Sequence, residues 1–137
     1  METDVGAAIA NRAINLVGVP FRMRGRSPEC GLDCVGVVAQ ALECTGMQFD
    51  VPRDYAFRGE YLGRISAFFG SGGFRSIDCE PAQPGDVLMY RSADRQVHFG
   101  VDTSLGAVHA HAGLGRVVLT PKPMPWPVIA HWRFTGD

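Results

Sequence analysis

DVLMYRSADRQVHFGVDTSLGAVHAHAGLGRVVLTP, residues 86–121, is the stretch that decides the fold. Four short runs stand out in it: DVLMYR (86–91), VHFGVDT (97–103), AVHAHA (107–112) and RVVLTP (116–121). Each is rich in β-branched and apolar residues, and Gly-, Ser- or Asp-containing turns separate them. This pattern predicts an antiparallel meander. Pro84-Gly85 turns the chain into the first strand, and VIAHWRF (128–134) forms another after the proline-studded connector KPMPWP. Upstream the periodicity changes. Val5, Ile9, Ala13, Leu16 and Val17 fall at helical spacing, so a helix over 5–17 is expected, stopped by Gly18 and Pro20. DCVGVVAQALEC (33–44) is a second helix, with Asp33 as its cap and Thr45-Gly46 at its end. A short third helix is expected over 58–69, closed by Gly70-Ser71-Gly72-Gly73. Helices first and a meander second define an α+β fold, with helix 33–44 on one face of a sheet of about five strands.

The chain has 137 residues, the size of one domain, and no linker, repeat or low-complexity stretch divides residues 1–137. Hydrophobic residues make up 46% and charged ones 20%, which excludes a disordered tail, a coiled coil or a fibre. Thirteen basic and fourteen acidic residues leave a net charge of -1, so no global charge draws the chain onto nucleic acid or an anionic membrane. The N-terminus places acids before a weak apolar stretch, unlike a secretory signal, so cytoplasmic synthesis and free thiols at Cys30, Cys34, Cys44 and Cys79 are expected.

Cys34 opens the strongest helix, where unpaired N–H groups and the macrodipole favour an anion and lower a thiol's pKa. Such a thiolate can attack a carbonyl, and the same N–H groups can hold the oxyanion. Cys34 also fits the interior as a small apolar residue. Cys44, Cys30 and Cys79 lack these surroundings. Three of the four histidines lie between residues 98 and 111. Alternation puts His109 and His111 on one face, and an even loop across Thr103–Gly106 brings His98 to the same face. Gly100 leaves room beside the His98 ring. Cys34, His98 and His109 thus supply a nucleophile, a base and a third polar group that holds the base. The bland alternative is a set of sheet-surface histidines. Three imidazoles with Cys34 as a fourth metal ligand is another, though no paired-cysteine zinc spacing supports it.

Four blocks together resemble the NlpC/P60 cysteine peptidases, a papain-like group that cuts bacterial cell-wall peptides. They are GVPFRMRG (18–25), GLDCVGVV (31–38), QPGDVLMYR (83–91) and VHFGVDTSLGAVHAHAGLGRVV (97–118), in the family's order. The chain looks most like the short members encoded with phage tails and gene transfer agents. The likeness runs over about residues 7–134, least over 45–80. It implies Cys34 as nucleophile, His98 as base and acid, and His109 as the residue that orients His98, with His111 a neighbour. It implies peptidoglycan stem peptides as substrate, cut between γ-D-glutamate and a diamino acid, with no cofactor or metal. Phage or gene-transfer-agent tail proteins are the implied partners and carriers. Phe21, Arg24, Asp33, Gly100 and His111 are the residues expected around the substrate.

Two positions depart from the family pattern. Phe21 stands where many members have a tyrosine whose hydroxyl faces the site, and Val35 replaces the commoner serine after the nucleophile. A tail-assembly or binding module with little turnover is the alternative that Phe21 fits. A papain-like amidase or acyltransferase is another. Arg22, Arg24 and Arg26 form a basic loop suited to substrate carboxylates or simply to water. Asp33 is read first as a helix cap and second as a site for a substrate amine, and Asp86 as a turn residue. GSGG (70–73) lacks the Lys-Ser/Thr of a phosphate loop, and Trp126, Trp132 and Phe134 read as packing residues.

Overall fold

In a computed structural model of the chain, residues 2–47, 61–70, 72–93 and 96–136 are described. The elements follow in the order α1 (Glu2–Ile14), β1 (Arg26–Ser27), β2 (Gly31–Leu32), α2 (Cys34–Leu42), a 3-10 turn (Glu43–Thr45) and α3 (Tyr61–Gly70). Then come β3 (Phe74–Ser76), β4 (Val87–Ala93), β5 (Gln96–Thr103), β6 (Gly106–His111), β7 (Arg116–Thr120) and β8 (Val128–Phe134). The expected α+β architecture is therefore present. The main sheet has six strands in the order β3-β8-β4-β5-β6-β7, all antiparallel, and β1 and β2 form a separate small ribbon.

The meander β4-β5-β6-β7 is the one read from residues 86–121. One feature of the sheet differs from the sequence reading: β3 adds a sixth strand. β8 is the strand expected from VIAHWRF, and it lies between β3 and β4. The aromatic cluster explains that slot. Phe69 of α3 stacks on Trp132 at 4.2 Å, and Phe74 meets Phe69 and Phe134 edge-on at 4.8 and 5.4 Å. Trp132 and Phe134 thus pack α3 onto β3 and β8, as expected of them. Residues 58–60 of the expected third helix lie outside the described residues. No described helix is long and apolar enough to cross a membrane.

α2 is held by its surroundings more than by propensity. Its valines are poor helix formers, but Val35, Val37, Val38, Ala41 and Leu42 are all buried between α1 and the sheet. Asp33 caps it: the Gly36 N–H donates to Asp33 Oδ1 at 2.8 Å. The helix begins one residue later than expected, so Cys34 is its first residue. Gly36 is required by contact, since a Cβ there would sit 2.1 Å from the carbonyl oxygen of Gly25. The loop before the nucleophile is thereby pressed onto the first turn of α2. At the other end, Gly46 takes the left-handed conformation (φ 79°) and closes the helix on Glu43.

Candidate active site

The ladder between β5 and β6 runs from Thr103–Gly106 through Val101–Val108 and stops there. Beyond it, toward residues 97–100, the first turn of α2 reaches the sheet. The backbone N–H groups of Phe99, Val35 and Cys34 favour charge on the Cys34 sulfur. Segment 18–22 closes the other side. Val117 N–H donates to Val19 O at 2.8 Å and Phe21 N–H to Gly115 O at 2.9 Å, while Leu32 N–H binds Pro20 O at 3.0 Å. A cleft of about 330 Å³ results, lined among others by Phe21, Met23, Cys34, His98, His111 and Trp126.

On the sheet, His98 Nε2 lies 2.9 Å from His109 Nδ1, and His109 Nε2 lies 2.8 Å from Thr120 Oγ1. One assignment of protons lets His98 receive a proton from the thiol. His98 carries its hydrogen on Nε2 and donates to His109 Nδ1, and His109 donates from Nε2 to Thr120. His98 Nδ1 then keeps its lone pair for the cleft. A shared metal would need the two facing nitrogens aimed at one ion, whereas they are spent on each other.

Burial decides the charges. It pushes the Cys34 thiol well up, helped by the neighbouring Asp33 carboxylate and opposed by the three N–H groups. The expectation of a helix-lowered thiol is thus overturned, because burial and a capping carboxylate outweigh the helix terminus. Burial, with the charges of His109 and His111, pushes His98 down to about 3. Burial and His111 push His109 down to about 4. At rest the cleft holds a neutral thiol at Cys34 and a neutral imidazole at His98. Burial penalises each charge taken singly, but a proton passing from sulfur to ring leaves the pair with no net charge.

These depressed values make a stability prediction. Each ring binds a proton more readily unfolded than folded, so its contribution is complete above the unfolded value near 6.5 and is lost as pH falls toward 4 and 3. Unfolding free energy should drop by about 2 kcal/mol between about pH 6.5 and 5.5 from the two rings together. Urea titrations at the two pH values test it. His98→Gln should roughly halve the slope, and a flat profile in the wild type contradicts neutral burial.

The remaining expected residues divide. Phe21 and His111 line the cleft, with His111 Nδ1 also accepting from Leu114 N–H at 3.1 Å. Asp33 does not face it: fully buried, it accepts from Arg24 N–H (2.7 Å), Gly36 N–H (2.8 Å) and Arg26 Nη1 (3.1 Å). It is a cap and an anchor for the preceding loop, and has no oxygen facing a substrate amine. Arg24 holds Asp33 through its backbone N–H and is not among the residues lining the cleft, and Arg26 Nη1 turns inward to Asp33. Gly100 makes room for protein and not for substrate, because a Cβ there would stand 3.2 Å from the Tyr90 ring and 3.7 Å from His109 Cβ.

Two residues of the site escaped the sequence reading. Thr120 holds His109, and parity on β7 puts it on the same face, which the strand pattern alone could have shown. Trp126, read as packing, instead stands over both rings, 5.1 Å from His98 and 5.9 Å from His109 between centroids. Nothing in the spacing of KPMPWP signals that. Asp86 also does more than serve its turn: besides Gln83 N–H at 2.9 Å it holds His131 Nε2 at 2.6 Å and Arg133 at 2.9 Å through both Nε and Nη2.

A helix-borne thiol and a sheet histidine share this cleft, with a second ring hydrogen-bonded behind the first, and the chain has the NlpC/P60 fold. Solved structures similar to it include the NlpC/p60 domain of the peptidoglycan hydrolase SagA, with 25% identity, a TM-score of 0.59, and 85% of this chain and 88% of that one covered. The P60 domain of an antigen from M. avium subspecies paratuberculosis is similar over 99% of this chain and 98% of that one, with 19% identity and a TM-score of 0.63. The peptidoglycan hydrolase RipB from Mycobacterium tuberculosis is similar over 99% of this chain and 67% of that one, with 20% identity and a TM-score of 0.64. No family model and no curated protein matches the sequence.

Proposed function

We propose that the chain is a cysteine peptidase that hydrolyses peptidoglycan stem peptides. The observation that carries this reading is the hydrogen-bonded line His98–His109–Thr120 ending at a cleft shared with Cys34. Two of its structural neighbours, SagA and RipB, are named as peptidoglycan hydrolases.

In the proposed reaction a peptide carbonyl enters the cleft, and the Cys34 thiol passes its proton to His98 Nδ1 as sulfur attacks the carbon. Backbone N–H groups at the start of α2 steady the oxyanion. His109, fixed by Thr120, holds the His98 ring and disperses its new charge. His98 then gives the proton to the leaving amine, and water, activated by the same ring, releases the acyl group and regenerates the thiol. The bond between γ-D-glutamate and the diamino acid is the one the reading selects. Delivery to the wall by a phage or gene-transfer-agent tail belongs to the same reading.

Purified sacculi incubated with the protein should release new amine groups, and mass spectrometry of the muropeptides should show new termini at that bond. Cys34→Ala should release none. A wild type as silent as the alanine variant would leave the binding-module reading, which Phe21 favours by bringing no hydroxyl into the cleft.

A further inference from the structure

The connector from β7 to β8, PKPMPWP (121–127), carries the indole that stands over the two site rings. It has no helix or strand of its own to hold it. Four of its seven residues are prolines, whose fixed φ leaves the backbone few shapes. Two contacts pin it to the sheet. Lys122 Nζ reaches Asp102 Oδ1 at 2.8 Å, and the Arg91 N–H donates to Pro127 O at 3.0 Å. Trp126 lies between these two points.

Asp102 is the firm end of the first contact. It is buried on β5, its N–H donates to Asp86 O and its carbonyl accepts from Gly85 N–H, each at 2.8 Å. Lys122 is its ion-pair partner among the described residues, and a buried carboxylate that loses its cation is left uncompensated. The pair therefore draws the connector down onto the sheet. Neither Asp102 nor Lys122 lines the catalytic cleft. Both line a separate cavity of about 380 Å³, and Trp126 is the wall between that cavity and the cleft. Without the indole the two spaces join, and water in the outer one gains access to the His98–His109 hydrogen bond.

We propose that Trp126 is a positioning residue for His98, and that the Lys122–Asp102 ion pair, outside the cleft, holds the indole against that ring. The indole keeps water from the His98–His109 hydrogen bond and fixes the attitude of the His98 ring toward the cleft. Its effect on rate rests on the peptidase reading; its effect on the histidines rests on the ring contacts alone, 5.1 Å to His98 and 5.9 Å to His109. Other titratable groups face His98: His109 and His111 from β6, and Cys34 of α2 on the same cleft. Changes at Trp126 or Lys122 leave all three in place, so a shift at His98 reports the indole.

The test is an NMR titration of the full chain with its histidine rings labelled with nitrogen-15, beside kinetics on sacculi. In the wild type both rings should stay neutral down to about 3 for His98 and about 4 for His109. In Trp126→Ala, water reaches the pair, so at least one midpoint should rise by about one pH unit or more, and Trp126→Phe should restore most of the difference. Lys122→Met should move the same midpoint in the same direction by less. The double variant Asp102→Asn/Lys122→Met, which leaves no buried charge unpaired, should do likewise and so separates the tether from a mere loss of stability. On sacculi, Trp126→Ala should lower kcat about tenfold, and Lys122→Met should lower kcat with KM unchanged, because Lys122 is outside the cleft. Histidine midpoints unmoved in Trp126→Ala overturn the proposal, and wild-type midpoints in both Lys122 variants overturn the role of the ion pair. Should the midpoints move as described while even the wild type leaves sacculi uncut, the positioning stands and the peptidase reading falls. Should sacculi be cut with the midpoints unmoved, the positioning falls alone.

Discussion

His98→Ala is expected to lower kcat/KM for amine release from sacculi about 10³-fold, within the range for loss of a general base. The cause lies in the state of the sulfur. Burial and Asp33 hold Cys34 as a thiol, so it is a poor nucleophile until its proton leaves. His98 is the acceptor at the cleft, and it is also the donor to the departing amine, so its loss impairs both halves of the reaction. Water entering the space left by the ring restores only part of this. A second signature separates this pair from a preformed thiolate–imidazolium. With His98 pushed down to about 3, the base stays neutral through the whole mildly acidic range. The wild-type kcat/KM should therefore show no titration near 6.5, and should decline only where acid loosens the fold. A pH–rate profile with an acid limb centred between about 6 and 7 would be incompatible with the buried neutral ring. Retention of more than a tenth of the activity in His98→Ala would equally remove His98 from the reaction.

How much of this was visible beforehand depends on range. The meander was legible because alternation with a period of two is a local property, and the turns between its strands are short. The pairing of His98 with His109 followed from the same parity, and the structure places their nitrogens within hydrogen-bond distance. β8 reads as a strand from VIAHWRF, but no local signal states that it will slide between β3 and β4, because that depends on Trp132 meeting Phe69 across more than sixty residues of chain. β3 is only three residues long, and its pairing with β8 defines it.

The site shows the same division. Asp33 as a cap was readable from its place before an apolar helix. That both its oxygens are consumed by Arg24, Arg26 and Gly36 was not, since two of those partners come from a loop folded back onto the helix. The sign of the thiol's shift was misread for a physical reason. A helix terminus is written in the sequence, whereas depth of burial is a property of everything packed around it. Gly100 illustrates the point in the opposite sense: the sequence showed that space was needed there, and the Tyr90 ring fills it.

Asp86→Ala is expected to destabilise the fold by roughly 3–5 kcal/mol, the range for removing one partner of a buried ion pair. For a domain of this size that lowers the melting temperature by roughly 10–15 °C. One carboxylate satisfies His131 Nε2, Arg133 Nε and Nη2, and the Gln83 N–H, and it is itself 1% exposed. Without it, among the described residues, Arg133 keeps Glu80, at 3.1 Å on the rim, and the weak approach of Nη2 to the Pro81 carbonyl at 3.4 Å. Its guanidinium, 8% exposed, then stays in the interior largely uncompensated. The damage reaches the topology because Asp86 leads into β4 while His131 and Arg133 lie on β8, so the carboxylate ties the two strands whose pairing the local sequence does not dictate. Asp86→Asn should lose less, since the amide retains one oxygen for the guanidinium, but its NH₂ group opposes a second donor. Urea unfolding of the three proteins measures the order wild type, Asn, Ala. An alanine variant within about 1 kcal/mol of wild type would mean that strand packing alone, and not this buried charge network, holds β8 in its slot.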